Sequence, residues 1–150
     1  MNQHFITGNT MALQHFAHSH YKTKIWDTSG IFYSTLTCTE LLNEACLRTG
    51  TSFQGKREAI KTLLSFKHNI PVPICFEQGI CAIPSSSSQK WDCIWYFYAH
   101  IKDMKRQGKQ TLLQFHNNDE LLLNESIYKT RQQIFKAAHI LNHFKIVGRA

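Results

Sequence analysis

The sequence predicts an α+β domain, a mainly antiparallel β-sheet with three helices, the last at the C-terminus. Three observations carry this. Short alternations of apolar and polar residues, broken by turn residues, fill the first 35 positions and the stretch 91–124. One segment, Thr37 to Gly50, has both a capping start and a glycine stop. Helical spacing then recurs after Gly55 and again after Ser126. At 150 residues and 43% hydrophobic content the chain can bury one core, so 1–150 is expected to be a single domain.

In order, ITGNTMALQHF and YKTKIWDTSGIFYSTL read as strands, with Asp27-Thr-Ser-Gly30 supplying a turn. Thr37 with Glu40 forms a capping box for a helix over about 38–48, with Leu41, Leu42, Ala45 and Cys46 inward. A second helix is expected from Gly55, over about 56–66, on Ile60, Leu63 and Leu64, and ended by Pro71 and Pro73. EQGICAIP reads as a strand and SSSSQK as a polar loop. WDCIWYFYAHIK reads as one strand, with Trp91, Cys93, Trp95, Phe97, Ala99 and Ile101 on the core face and Asp92, Ile94, Tyr96, Tyr98 and His100 on an amphipathic one. QTLLQF and ELLLN form a hairpin about His116 to Asp119. A helix over about 126–143 closes the chain, with Ile127, Ile134, Ala138 and Leu141 inward and Lys129, Gln132, Gln133, Lys136 and His143 outward.

GTSFQGKR, at 50–57, is nearly a phosphate-binding P-loop. Arg57 stands where that motif needs a magnesium-binding hydroxyl, and a helix rather than a strand precedes the glycines, so nucleotide hydrolysis is not expected. A loop of Gly50, Ser52 and Gly55 with Lys56 and Arg57 at a helix start remains. Its backbone and cations suit an anion, or its glycines serve only an interhelical turn.

Seventeen Lys and Arg against ten Asp and Glu favour a polyanionic partner. The cations group from Lys56, Arg57 and Lys61 to Lys67; at Lys102, Lys105, Arg106 and Lys109; and at Lys129 and Lys136 on the outer face of the last helix. His15, His18 and His20 have a spacing that a metal could use, but no C-x-x-C accompanies them, and no metal or other cofactor is expected. Cys93 and His100 fall on opposite faces of one strand, which argues against a Cys-His nucleophile. The five cysteines lack a disulfide spacing and read as buried thiols of a reducing compartment. The N-terminus has no signal-like pattern and no run approaches roughly 18 apolar residues, so a cytoplasmic protein away from membranes is expected.

Together these spaced residues resemble the competence transcription factor family, ComK and its relatives in Gram-positive bacteria. The resemblance centres on Cys46, Gly50, Ser52, Phe53, Gly55 and Lys56-Arg57. It continues through His68-x-x-Pro71, Ile80-x-x-x-Pro84, Ser87-Ser88 and Cys93-x-Trp95, in register from about Ile6 to Ile101. Ser126, Gln133, Phe135, Lys136 and Ala138 resemble the family's C-terminal helix. Ile83 and Ser85 depart from its pattern, and the sequence stops at Ala150 where longer members continue into a tail tied to activation and proteolytic control.

The resemblance implies a non-enzymatic DNA-binding activator of genes for DNA uptake. Such a protein recognises paired AT-rich boxes in the minor groove of double-stranded DNA as a homodimer or dimer of dimers, with RNA polymerase as a further partner. A narrow AT-rich groove concentrates negative potential and draws in Arg and Lys. The expected contacts are Lys56, Arg57 and Lys61, then Lys105, Arg106, Lys129 and Lys136, while Trp91, Cys93 and Trp95 are assigned to the core. The rival readings are a small nucleotide- or metal-dependent enzyme and a non-activating partner of a full-length relative.

Overall fold

The capping box predicted at Thr37 is present: its hydroxyl accepts the Glu40 N–H while the Glu40 carboxylate accepts the Thr37 N–H. It opens α1 (Cys38–Leu47), whose apolar face buries Leu41, Leu42, Ala45 and Cys46. The computed structural model describes residues 4–75, 77–86 and 90–148. Ser87 and Ser88 therefore lie outside the described residues. Around α1 the chain forms β1 (Thr10–His15), β2 (Thr23–Asp27), β3 (Gly30–Ser34), α2 (Phe53–Leu64), β4 (Val72–Cys75), β5 (Ile80–Pro84) and β6 (Ile94–Phe97). It ends with β7 (Ile101–Gln107), β8 (Gln110–Phe115), β9 (Glu120–Leu123) and α3 (Ile127–Gly148).

The strands form two antiparallel sheets, one of six strands in the order β3-β2-β1-β6-β5-β4 and one of three in the order β7-β8-β9. The α+β expectation is met. Side chains alternate across a strand, so the central β6 serves two cores. Trp95 and Phe97 join Leu13, Ile25, Leu41, Leu42 and Phe53 beneath α1 and α2. Ile94 and Tyr96 join Met11, Ala12, Ile83, Leu113, Phe115 and Ala137 beneath α3 and the small sheet. A third cluster, Ile60, Ile70 and Ile140, ties α2 to α3 beside Phe66 and Phe144.

Several expectations are corrected. WDCIWYFYAHIK is not one strand: a 3-10 turn at Tyr98–His100 separates β6 from β7 and hands the chain to the second sheet. The β6 face expected to be amphipathic is buried, because a second layer covers it. Trp91, assigned to the core, precedes β6 and is 79% exposed, its ring edge-on to His15. The stretch after α2 is a strand in spite of Pro73. β4 is an edge strand with an irregular register at that proline, so no ladder hydrogen bond is required of it there.

Helix α2 starts two residues before Gly55, since the Ser52 hydroxyl caps it by accepting the Gly55 N–H at 2.9 Å. On α3 the inward stripe is Ile127, Thr130, Gln133, Ala137 and Ile140, with Ala138 half-buried. Gln133 was expected outward. It is 6% exposed, and its amide donates to the carbonyls of Asn69 at 2.7 Å and Pro84 at 3.1 Å, which makes a buried polar side chain tolerable.

Candidate nucleic-acid interface

Strands β7 and β8 join through a two-residue turn, Gly108-Lys109, in which Gly108 takes φ 64°, a conformation that glycine adopts without strain. Being the edge of its sheet, β7 is largely exposed along its length. This hairpin places Lys102, Lys105, Arg106 and Lys109 within eight residues, opposed only by Asp103. Lys102 donates to the Asn118 side chain at 3.2 Å. Among the described residues, Lys105, Arg106 and Lys109 make no ion pair or side-chain hydrogen bond. Register gives them directions: Lys105 shares the outer face with Leu112, whereas Arg106 lies opposite Thr111 near the tip.

The other predicted cations are more engaged. Lys56 is half-buried; its ammonium donates to Thr49 Oγ1 and to the Ile74 carbonyl, both at 2.7 Å. Burial pushes that ammonium below its ordinary pKa, partly offset by the nearby Cys46 and Cys75 thiols. The Arg57 guanidinium lies 5.7 Å from the centre of the Phe53 ring, and Lys61 is 3.9 Å from Glu58. Lys136 sits 5.7 Å from the centre of the Phe66 ring and reaches the His68 carbonyl at 3.5 Å. Lys129 lines a polar crevice with Lys90, Asn69 and Ser126. Lys56, Arg57 and Lys61 thus lie on α2, Lys105 and Arg106 on β7, and Lys129 and Lys136 on α3.

In the loop, Gly50 takes φ 105°, and a Cβ on Gly55 would meet Thr51 Oγ1 at 2.9 Å. The glycines therefore serve the turn and the first helical turn. No strand precedes them, unlike in a P-loop: α1 does. Among the described residues no group of three or more His, Cys, Asp or Glu could hold a metal ion, His15, His18 and His20 included. His18 Nδ1 instead accepts the N–H groups of His20 and Tyr21, at 3.1 and 3.2 Å. Cys93 and His100 are likewise apart in function, the thiol directed to the Ser86 carbonyl and the imidazole to the Gly8 carbonyl. Burial raises the Cys46 thiol to about 11 and raises Cys81 and Cys93 too, so these are structural thiols.

Two features escaped the sequence. One is a buried carboxyl, Glu125, where α3 meets both sheets; it accepts the Thr130 hydroxyl at 2.8 Å and the Tyr96 hydroxyl at 3.4 Å. An acidic residue just before a helix carries no signal of burial. The other is the pair Tyr128 and Phe135, 67% and 74% exposed and seven residues apart, hence on one face of α3. The helical period could have shown them outward once the inward stripe was placed correctly.

A family model described as ComK protein matches residues 1–146. The chain belongs to the ComK family. A curated relative, the competence transcription factor of Bacillus subtilis (strain 168), is 22% identical over 124 residues. Those residues are 82% of this ComK-family chain but only 65% of the relative, so the chain spans less than two thirds of that protein's length. No solved structure matches. Among the described residues of this ComK-family member, no helix is long and apolar enough to cross a membrane.

Proposed function

We propose that this ComK-family chain is a cytoplasmic, non-enzymatic DNA-binding protein that activates competence genes by engaging paired AT-rich boxes through the minor groove. The observation that carries the reading is the β7 edge of the β7–β8 hairpin, an exposed strand and turn with three cations free of protein partners among the described residues. Cations held by no internal acceptor can replace counterions on phosphates or enter a narrow groove. Lys105 and Arg106 are the central contacts, with Lys102 and Lys109 beside them. Lys129, Lys136, Arg57 and Lys61 extend the field, while Lys56, already holding two oxygens, contributes least. The exposed Tyr128 and Phe135 support a protein partner at α3, read as a second copy in a homodimer or dimer of dimers, with RNA polymerase as a further partner.

Gel shifts on promoter DNA with two AT-rich boxes, across a salt series, test this. The double change Lys105→Ala and Arg106→Ala should weaken binding at low salt and flatten the slope of log affinity against log salt by about 2. A minor-groove ligand such as netropsin should displace the wild-type protein. Unchanged affinity and slope in the double variant would remove the hairpin from the interface.

A further inference from the structure

The ammonium of Lys56 opens onto a cavity of about 520 Å³ between α2, β4 and the end of α3, within the usual size range of small-molecule sites. An ammonium has three donors, and two of these go to neutral oxygens, Thr49 Oγ1 and the Ile74 carbonyl. Among the described residues no carboxylate lies within ion-pair distance of it. The neighbouring Cys46 thiol is pushed up to about 11 by burial and stays neutral, so it is no counterion either. A half-buried cation with no carboxylate in ion-pair distance among the described residues is costly and favours an anion. Beside it the Thr51 hydroxyl makes no hydrogen bond among the described residues, leaving a second donor at the same wall. The rest of the wall is largely apolar, from Ala59, Ile60, Ile74 and Phe144.

We propose that this cavity is a binding site for an apolar monocarboxylate, the carboxylate held by Lys56 and the Thr51 hydroxyl and the tail packed on Ile60, Ile74 and Phe144. Lys56 is the one cation among the lining residues, which matches one negative charge, and Glu77, also in the lining, disfavours ligands of higher charge. The apolar walls then select against acids with no tail. None of its lining residues belongs to the β7–β8 hairpin, and the site stands whether or not that hairpin binds DNA.

Isothermal titration and thermal unfolding of the full chain, with phenylacetate, hexanoate, acetate and inorganic phosphate as probes, test the proposal. Phenylacetate or hexanoate should bind saturably, one per chain, and raise the unfolding temperature. Acetate and phosphate should bind roughly tenfold more weakly or worse. Lys56→Met should cost a similar factor, but it also removes the ammonium's two hydrogen bonds, to Thr49 and to the Ile74 carbonyl, and endangers folding. Ala59→Phe therefore serves as the second variant: it keeps the ammonium, fills the cavity and should abolish binding with an unchanged circular dichroism spectrum. Absence of saturable binding by both tailed acids overturns the proposal. So does binding that survives in folded Ala59→Phe, or phosphate binding as tight as that of the tailed acids.

Discussion

Glu125 shows how one residue can make this fold sensitive to pH. Its carboxyl is buried against Thr130 and Tyr96, and its own carbonyl accepts the Thr111 hydroxyl at 2.9 Å. Burial raises its pKa from an ordinary 4.5 to about 7, with the hydrogen bonds from Thr130 and Tyr96 pulling the other way. The folded chain thus holds the proton more tightly than the unfolded one. The resulting stability is complete below pH 4.5 and is lost as pH rises through 7, by up to roughly 3 kcal/mol. Glu125→Gln keeps the shape and a carbonyl acceptor but no charge. Urea unfolding at pH 5 and pH 8 should show the wild type weakening with pH while the variant stays nearly level. Equal losses in both would place the dependence elsewhere.

At the scale of elements, what could be read in advance was what neighbours in sequence decide. The capping box of α1 is built from residues three apart, so pattern alone located it. The alternation through 91–102 is equally local, but it cannot say where a strand leaves one sheet for another; the 3-10 turn at Tyr98–His100 does that. Gln133 is buried because two carbonyls 64 and 49 residues away accept its amide. Lys56 turns inward because the Ile74 carbonyl lies 18 residues on. The exposed cations of β7 were legible as charge, though not as a ribbon. The start of α2 follows from Ser52, and Ser52→Ala should cost about 1 kcal/mol by stranding the Gly55 N–H. A urea midpoint unchanged within error would mean that water replaces that cap.

For the whole molecule, the decisive arrangement is one six-stranded sheet with a core on each face. Consecutive residues of β6 divide between them, Trp95 under the helices and Tyr96 under α3 and the small sheet, both nearly inaccessible. A layer that peeled away would expose half of a strand whose other half is still packed, so the two cores should fail together. Leu42, in the helical layer, and Leu113, in the small sheet, are each fully buried and belong to different cores. Leu42→Ala and Leu113→Ala should each lower stability by about 2–5 kcal/mol. Either change should move the entire urea transition, with the fluorescence of Trp95, read in a variant with Trp26 and Trp91 changed to Phe, and far-ultraviolet circular dichroism still coincident. If Leu113→Ala instead separates the two signals, leaving the Trp95 transition in place, the small sheet and α3 are an independent unit and the shared strand does not couple the cores.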